Sequence, residues 1–221
     1  MTVNLVIKRK KQFTATSYWQ NFCLIAAGKT ILDCLNHIKR ELDPDLAYRA
    51  ECRSGICGTC ALRVNGQPVL GCKCFLTPEL LKNDYADRLD FGFEVQRPCV
   101  VVEPLVNQQV VADLWLDETT FWAELSKFEP WVHGDEQCKQ TESAEQASAH
   151  DCTLCGICDA IEAEGSLKMQ NGGLVRALAF YSKQDFKNLL GKYKIDSDKL
   201  KKAEELCPEK IKLGKLIGAA G

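Results

Sequence analysis

Residues 2–8 alternate apolar and polar positions, and residues 17–25 form a second β-rich run, so the pattern predicts two strands. The period then changes. Thr30 and Asp33 have the spacing of a capping box, and Ile31, Leu32, Leu35, Ile38 and Leu42 form the apolar stripe of a helix. Pro44 ends it, because proline disfavours helical geometry in the residue before it. The stretch "ALRVNGQPVL" predicts a hairpin whose Asn65-Gly66 turn supplies positive φ angles, and 98–103 reads as another strand. From about residue 110 the period becomes helical. Phe121, Trp122, Leu125 and Phe128 share a face after Asp117, and Pro130 closes that helix. Further helices are expected at 173–181, at 183–190 (Ser182 and Asp185 as capping box, Gly191 as stop) and at 198–206. Residues 134–151 are polar and read as an exposed connection. The predicted fold class is α+β, with a β-rich domain over 1–105 and a helical domain over 106–221.

Composition narrows the possibilities. With 221 residues, 46% of them hydrophobic, the chain can build one large core or two smaller ones. A formal net charge of −2 gives no basic excess, so nothing supports a nucleic-acid partner or a polybasic membrane role. No apolar run approaches the roughly 20 residues a membrane-spanning helix needs. The start "MTVNLVIKRKKQF" places its charges after the apolar stretch, the reverse of a secretory signal. The expectation is a soluble protein in a reducing compartment. There the 13 cysteines, where clustered, read as metal-binding or redox groups rather than disulfides. Cys23, Cys34 and Cys99 lie in strand or helix patterns and read as packing residues.

In "CRSGICGTC", Cys52, Cys57 and Cys60 have the C-x₄-C-x₂-C spacing of plant-type [2Fe–2S] sites. The hairpin returns the chain toward Cys60, which makes Cys72 the preferred fourth ligand and Cys74 the competitor. Gly55 and Gly58 let the backbone wrap tightly, with N–H groups aimed at sulfur. Nearby Arg49 and Arg53 should raise the potential of a site carrying four thiolates. Zinc is the plainer alternative, but C-x₄-C between glycines is a poor zinc pattern. Further on, "CTLCGICDAIEA" holds Cys152, Cys155 and Cys158 at ferredoxin spacing, with Glu162 where a fourth Cys-Pro would fall. His37, His133 and His150 are isolated. No nucleophile–base constellation, phosphate loop or paired carboxylates with a context for chemistry is present.

"CRSGICGTCALRVNGQPVLGC" resembles the [2Fe–2S] segment of the iron–sulfur subunit of succinate dehydrogenases and fumarate reductases. The resemblance extends to "VVVEPLVNQQVVADLWLDETTFWAELSKFEPWV", to "CTLCGIC" and to "LVRALAFYSKQDF", and so covers most of the chain. It implies a β-grasp, plant-type ferredoxin-like domain followed by an all-α, helical ferredoxin-like domain. In two-cluster ferredoxin motifs the fourth cysteine of the run serves the other cluster. Glu162 therefore removes a ligand of a partner cluster, and Cys152, Cys155 and Cys158 need a distant Cys-Pro. Cys207-Pro208 supplies it, completing one [4Fe–4S] site, with Cys138 as the substitute. The family's [3Fe–4S] cluster would need cysteines at 162 and near Ser197 and Ala203, and all three are absent. The segment after it, Ala163-Glu164-Gly165, also lacks the proline and tryptophans of the family's quinone pocket.

The implied function is an electron-transfer subunit of a flavoenzyme complex of the tricarboxylic acid cycle and respiratory chain. Electrons would pass between FAD on a partner flavoprotein, the [2Fe–2S] and [4Fe–4S] clusters, and a quinone-reactive membrane anchor or another redox protein. Substrate chemistry would belong to the partner. The chain would be cytoplasmic, peripheral to the inner face of the membrane through partner subunits. Two other readings compete. A free-standing two-cluster shuttle ferredoxin fits poorly with a nearly neutral chain holding 4 tryptophans. A zinc-stabilised interaction protein would be colourless.

Overall fold

A computed structural model describes residues 2–26, 28–106, 108–129, 131, 144–161, 171–181, 183–193 and 196–214. The chain divides into two units, Met1–Asp117 and Glu118–Gly221.

The first unit is built on a five-stranded sheet. In chain order its strands are β1 (Thr2–Lys10), β2 (Ser17–Ile25), β3 (Ala61–Val64), β4 (Gln67–Leu70) and β5 (Cys99–Glu103), with spatial order β2-β1-β5-β3-β4. β1 pairs antiparallel with β2 and parallel with β5, whereas β5–β3 and β3–β4 are antiparallel. Alternation sends Val3, Leu5 and Ile7 of β1 into the main core with Val100 and Val102 of β5. Val6, Cys99 and Val101 pack on the opposite face against Trp19, Tyr85 and Phe91. Helix α1 (Ile31–His37) adds Ile31 and Leu35 to the main core. Its capping box forms as the sequence predicts: the Asp33 N–H donates to Thr30 Oγ1 (3.1 Å) and the Thr30 N–H to Asp33 Oδ2 (2.9 Å). The helix continues as a π turn, Ile38–Leu42. Wider π winding shifts the angular register, so Ile38 stays buried while Leu42 is exposed.

Asn65 does more than make a turn. It is buried at φ 47, its Oδ1 accepts the Val101 N–H (2.8 Å), and its Nδ2 donates to the Leu80 carbonyl (3.0 Å). The hairpin tip is thereby fixed to β5 and to the short helix α2 (Pro78–Leu81).

The first unit ends later than the sequence predicts, at Asp117 rather than 105. In place of helical winding from 110, the chain forms a hairpin of β6 (Val110–Ala112) and β7 (Trp115–Leu116). A buried charge network secures it. Arg9 pairs with Asp43 Oδ2 at 2.6 Å and lies 2.9 Å from Asp113 Oδ1. Asp113 also accepts the Lys10 N–H through Oδ1 and the Ala47 N–H through Oδ2, both at 2.9 Å.

The second unit contains α3 (Thr119–Ser126), α4 (Ala144–His150), α5 (Asn171–Phe180), α6 (Lys183–Leu190) and α7 (Ser197–Leu206), with no strand among the described residues. Its core joins Leu174 and Ala177 of α5, Phe186 of α6, and Leu200 and Ala203 of α7 to Leu213. The Phe128 ring stacks on Tyr193, with centroids 5.0 Å apart. α4 occupies part of the segment that reads as a connection. Trp122 is half exposed, so the apolar stripe of α3 is only partly covered. Pro130, Ser182, Cys138 and Glu162 lie outside the described residues. No described helix is long and apolar enough to cross a membrane.

Candidate metal centres

In the first unit the cysteine loop turns its backbone N–H groups onto sulfur. Cys52 Sγ accepts from Ser54 and Ile56 (both 3.4 Å) and from Cys57 (3.3 Å), and the Cys52 N–H points back to Cys57 Sγ at 3.5 Å. Positive φ at Arg53 (58°) and Gly55 (79°) produces this inward curl. At Gly55 the positive φ strains any larger residue, and the Lys73 side chain, with Cε 2.0 Å from an added Cβ, would also have to swing aside. The Ser54 N–H, then Cys57 and the Ile56 N–H, pull the Cys52 thiol down to about 5. The loop therefore favours a thiolate at this position.

The hairpin brings the fourth sulfur. The Gly71 N–H donates to the Cys60 carbonyl (3.0 Å), and Cys60 Sγ lies 3.4 Å from Cys72 Sγ. Burial pushes the Cys60 thiol up to about 12. Cys74, the competitor, packs against the hydrophobic core instead, where burial raises its thiol to about 11. Its carbonyl accepts the first N–H of α1, from Ile31, at 2.8 Å.

In the second unit Cys152, Cys155, Cys158 and Cys207 line a single cavity, closed by Gly172, Val175, Pro208, Ile211 and Leu213. Leu154 and Gly156 at positive φ (54° and 74°) fold the three-cysteine loop, and Cys207 is delivered at the C-cap of α7. Asp159 pins the loop to α5. Its buried carboxylate accepts the N–H groups of Asn171 (2.7 Å) and Gly172 (3.1 Å), while Asn171 Nδ2 donates to the Cys158 carbonyl (3.0 Å). Burial pushes the Cys155 thiol up to about 12, raises Cys152 and raises Cys158 strongly.

Both sets fit an iron–sulfur group by donor chemistry. None of the described cysteines forms a disulfide. Ionising several buried thiols together is expensive unless a multiply charged metal centre takes the protons' place. In the second cavity the Thr153 hydroxyl faces Cys155 and favours its thiolate, the form a metal centre would bind.

Of the positions tied to a third cluster, Ser197 opens α7 and Ala203 is fully buried in the core with no ligating atom. His150 packs edge-on against Phe180. Two residues of the sites escape sequence reasoning. Asp159 caps α5 from twelve residues away, a non-local contact without a motif. Thr59 sets its hydroxyl 3.1 Å from Cys57 Sγ, and only its place between two cysteines hints at that.

Residues 4–123 match the family described as "2Fe-2S iron-sulfur cluster binding domain". The fumarate reductase iron–sulfur subunit of Escherichia coli O6:H1 is 35% identical over 140 residues, covering 60% of this chain and 50% of that protein. The mitochondrial succinate dehydrogenase [ubiquinone] iron–sulfur subunit of Dictyostelium discoideum is 31% identical over 165 residues, covering 69% of this chain and 52% of its own. The chain thus spans about half the length of the curated relatives it matches. In fold it is similar to a chain of the "Mycobacterium smegmatis Sdh1 complex in the apo form", with TM-score 0.66 and 18% identity over 99% of this chain and 93% of that one.

Proposed function

The chain belongs to the 2Fe-2S iron–sulfur cluster binding domain family and is a relative of fumarate reductase and succinate dehydrogenase iron–sulfur subunits, and from that premise we propose that it is the electron-transfer subunit of such an oxidoreductase complex. Cys52, Cys57, Cys60 and Cys72 would hold a [2Fe–2S] cluster in a β-grasp, ferredoxin-like first domain. Cys152, Cys155, Cys158 and Cys207 would hold a [4Fe–4S] cluster in a helical second domain. The observation that supports this reading is the cavity lined by Cys152, Cys155, Cys158 and Cys207 in the second unit, with Cys52 beside Cys57 and Cys60 beside Cys72 in the first.

Iron–sulfur clusters supply one-electron carriers whose potentials depend on charge, hydrogen bonds to sulfur and exposure. The residues of this chain set those variables. Backbone N–H groups stabilise charge at Cys52, while the surroundings of the partly buried Cys152, Cys155 and Cys158 disfavour free thiolates at the second site. The partners would be a flavoprotein carrying FAD and a membrane anchor or another redox protein, giving a peripheral location. With alanine in the core at 203, the terminal redox partner would draw on the [4Fe–4S] site rather than on a third cluster.

Iron, acid-labile sulfide and EPR on anaerobically purified protein test the reading. About six irons and six sulfides per chain are expected, with paramagnetic signals only after dithionite reduction. About nine irons would restore the third cluster, and a colourless protein would eliminate both sites. Recovery of a stable complex with a flavoprotein of dicarboxylate-oxidoreductase type is expected, and its absence at high chain concentration would favour the shuttle ferredoxin.

A further inference from the structure

We infer that the Thr59 hydroxyl is a positioning residue for the first cluster, donating a hydrogen bond to the Cys57 sulfur that raises the reduction potential of the [2Fe–2S] site; this rests on the ligand set proposed above. The direction of the bond follows from its surroundings. Thr59 Oγ1 accepts the Glu51 N–H at 3.1 Å, which fixes the hydroxyl and occupies one of its acceptor positions. Its own proton remains free, and Cys57 Sγ lies 3.1 Å away. A metal-bound Cys57 is a thiolate, which can only accept. Thr59 therefore donates.

The local fold is arranged for this contact. Gly58, at φ 73, turns the chain between Cys57 and Thr59, so the hydroxyl returns over the sulfur of a residue only two positions earlier. The Glu51 N–H holds it there from the other side of the loop. Without that anchor the hydroxyl would be free to choose another rotamer or a water partner.

The bond also differs in kind from its neighbours. The three donors to Cys52 and the Cys52 N–H that faces Cys57 are backbone groups, which side-chain changes leave in place. The Ser54 hydroxyl also reaches Cys52, so two side-chain hydroxyls serve this loop, and Thr59 is the one on Cys57 that a substitution can remove. A donor to sulfur favours the more negatively charged, reduced state, so it raises the potential. A single charge-assisted bond of this kind supports about a tenfold bias in the reduction equilibrium, which is 59 mV for a one-electron couple.

The test compares wild type, Thr59→Val, Thr59→Ala and Thr59→Ser in the full chain. Iron and sulfide content is read first, followed by EPR-monitored redox titration of the [2Fe–2S] signal. Thr59→Val and Thr59→Ala should keep the cluster and favour reduction about tenfold less, whereas Thr59→Ser should stay near wild type. If Val and Ala lose the two irons while Ser retains them, the hydroxyl serves cluster retention rather than potential, and the inference is overturned. Unchanged midpoints in Val and Ala, or a Ser midpoint that moves with theirs, would overturn it. A wild-type protein with no [2Fe–2S] signal would instead overturn the ligand assignment beneath it.

Discussion

Asp113→Ala is expected to destabilise the first unit by about 3–4 kcal/mol, close to the cost of breaking one buried ion pair. Asp113 is buried in the turn between β6 and β7, where its carboxylate accepts the Lys10 and Ala47 N–H groups and pairs with the Arg9 guanidinium. Truncation leaves the Lys10 and Ala47 N–H groups without an acceptor, at about 1–3 kcal/mol for each that stays dry. It also leaves Arg9, itself 4% exposed, with Asp43 as its remaining carboxylate. These losses overlap, since one water entering the space can serve two donors, so the full sum does not apply. At about 4 °C per kcal/mol for a unit of this size, melting should fall by about 12–16 °C. Differential scanning calorimetry at fixed scan rate measures the shift, and hydrogen exchange should show faster opening at Lys10 and Ala47. Asp113→Asn should cost nearly as much, because either amide orientation presents N–H groups to existing donors. A loss under about 1 kcal/mol, with both amides still protected, would refute the reasoning.

Acid should weaken the same unit with a defined sign. The Arg9 hydrogen bond holds the Asp43 carboxyl below its ordinary value, and the Thr30 backbone N–H and then its hydroxyl do the same for Asp33. Their stabilisation is complete above the unfolded carboxylate value of about 3.9 and is lost as pH falls through the lower folded values. Melting temperature should therefore drop steeply below about pH 4, and Asp43→Asn should flatten that slope. Gly173→Ala should destabilise the second unit by about 1–3 kcal/mol despite alanine's better helix propensity, because Phe128 Cδ2 would lie 2.3 Å from the new Cβ. Phe128→Leu in the same chain should recover part of the loss in a melting experiment. Cys72→Ser should remove about two irons and Cys207→Ser about four, while Cys74→Ser should leave the iron count unchanged.

The sequence made short-range features legible. The capping box at Thr30 and the Asn65-Gly66 turn depend on neighbours a few residues away, and both formed as read. Cysteine spacing likewise marked both candidate sites, since ligand geometry restricts spacing. What stayed hidden was decided at long range. β6 and β7 are too short for periodicity to register, and Asp113 acts through Arg9 and Ala47, far away in sequence. The stripe on α3 showed which residues share a face but not that Trp122 would remain half exposed. Cys72 and Cys74 are two residues apart in an irregular segment, and their separation depends on which one meets Cys60. The cap of α5 by Asp159 has no local signature at all.

The β6–β7 hairpin also determines what can be exchanged as a module. If a unit of this kind were recombined into another protein with a junction at 105, Arg9 would arrive without Asp113, and β1 and the loop at Ala47 would each lose an anchor. A junction after 117 would carry the network whole. Gene-fusion boundaries that preserve this unit are therefore expected on the C-terminal side of the hairpin, where no buried charge is divided between parents.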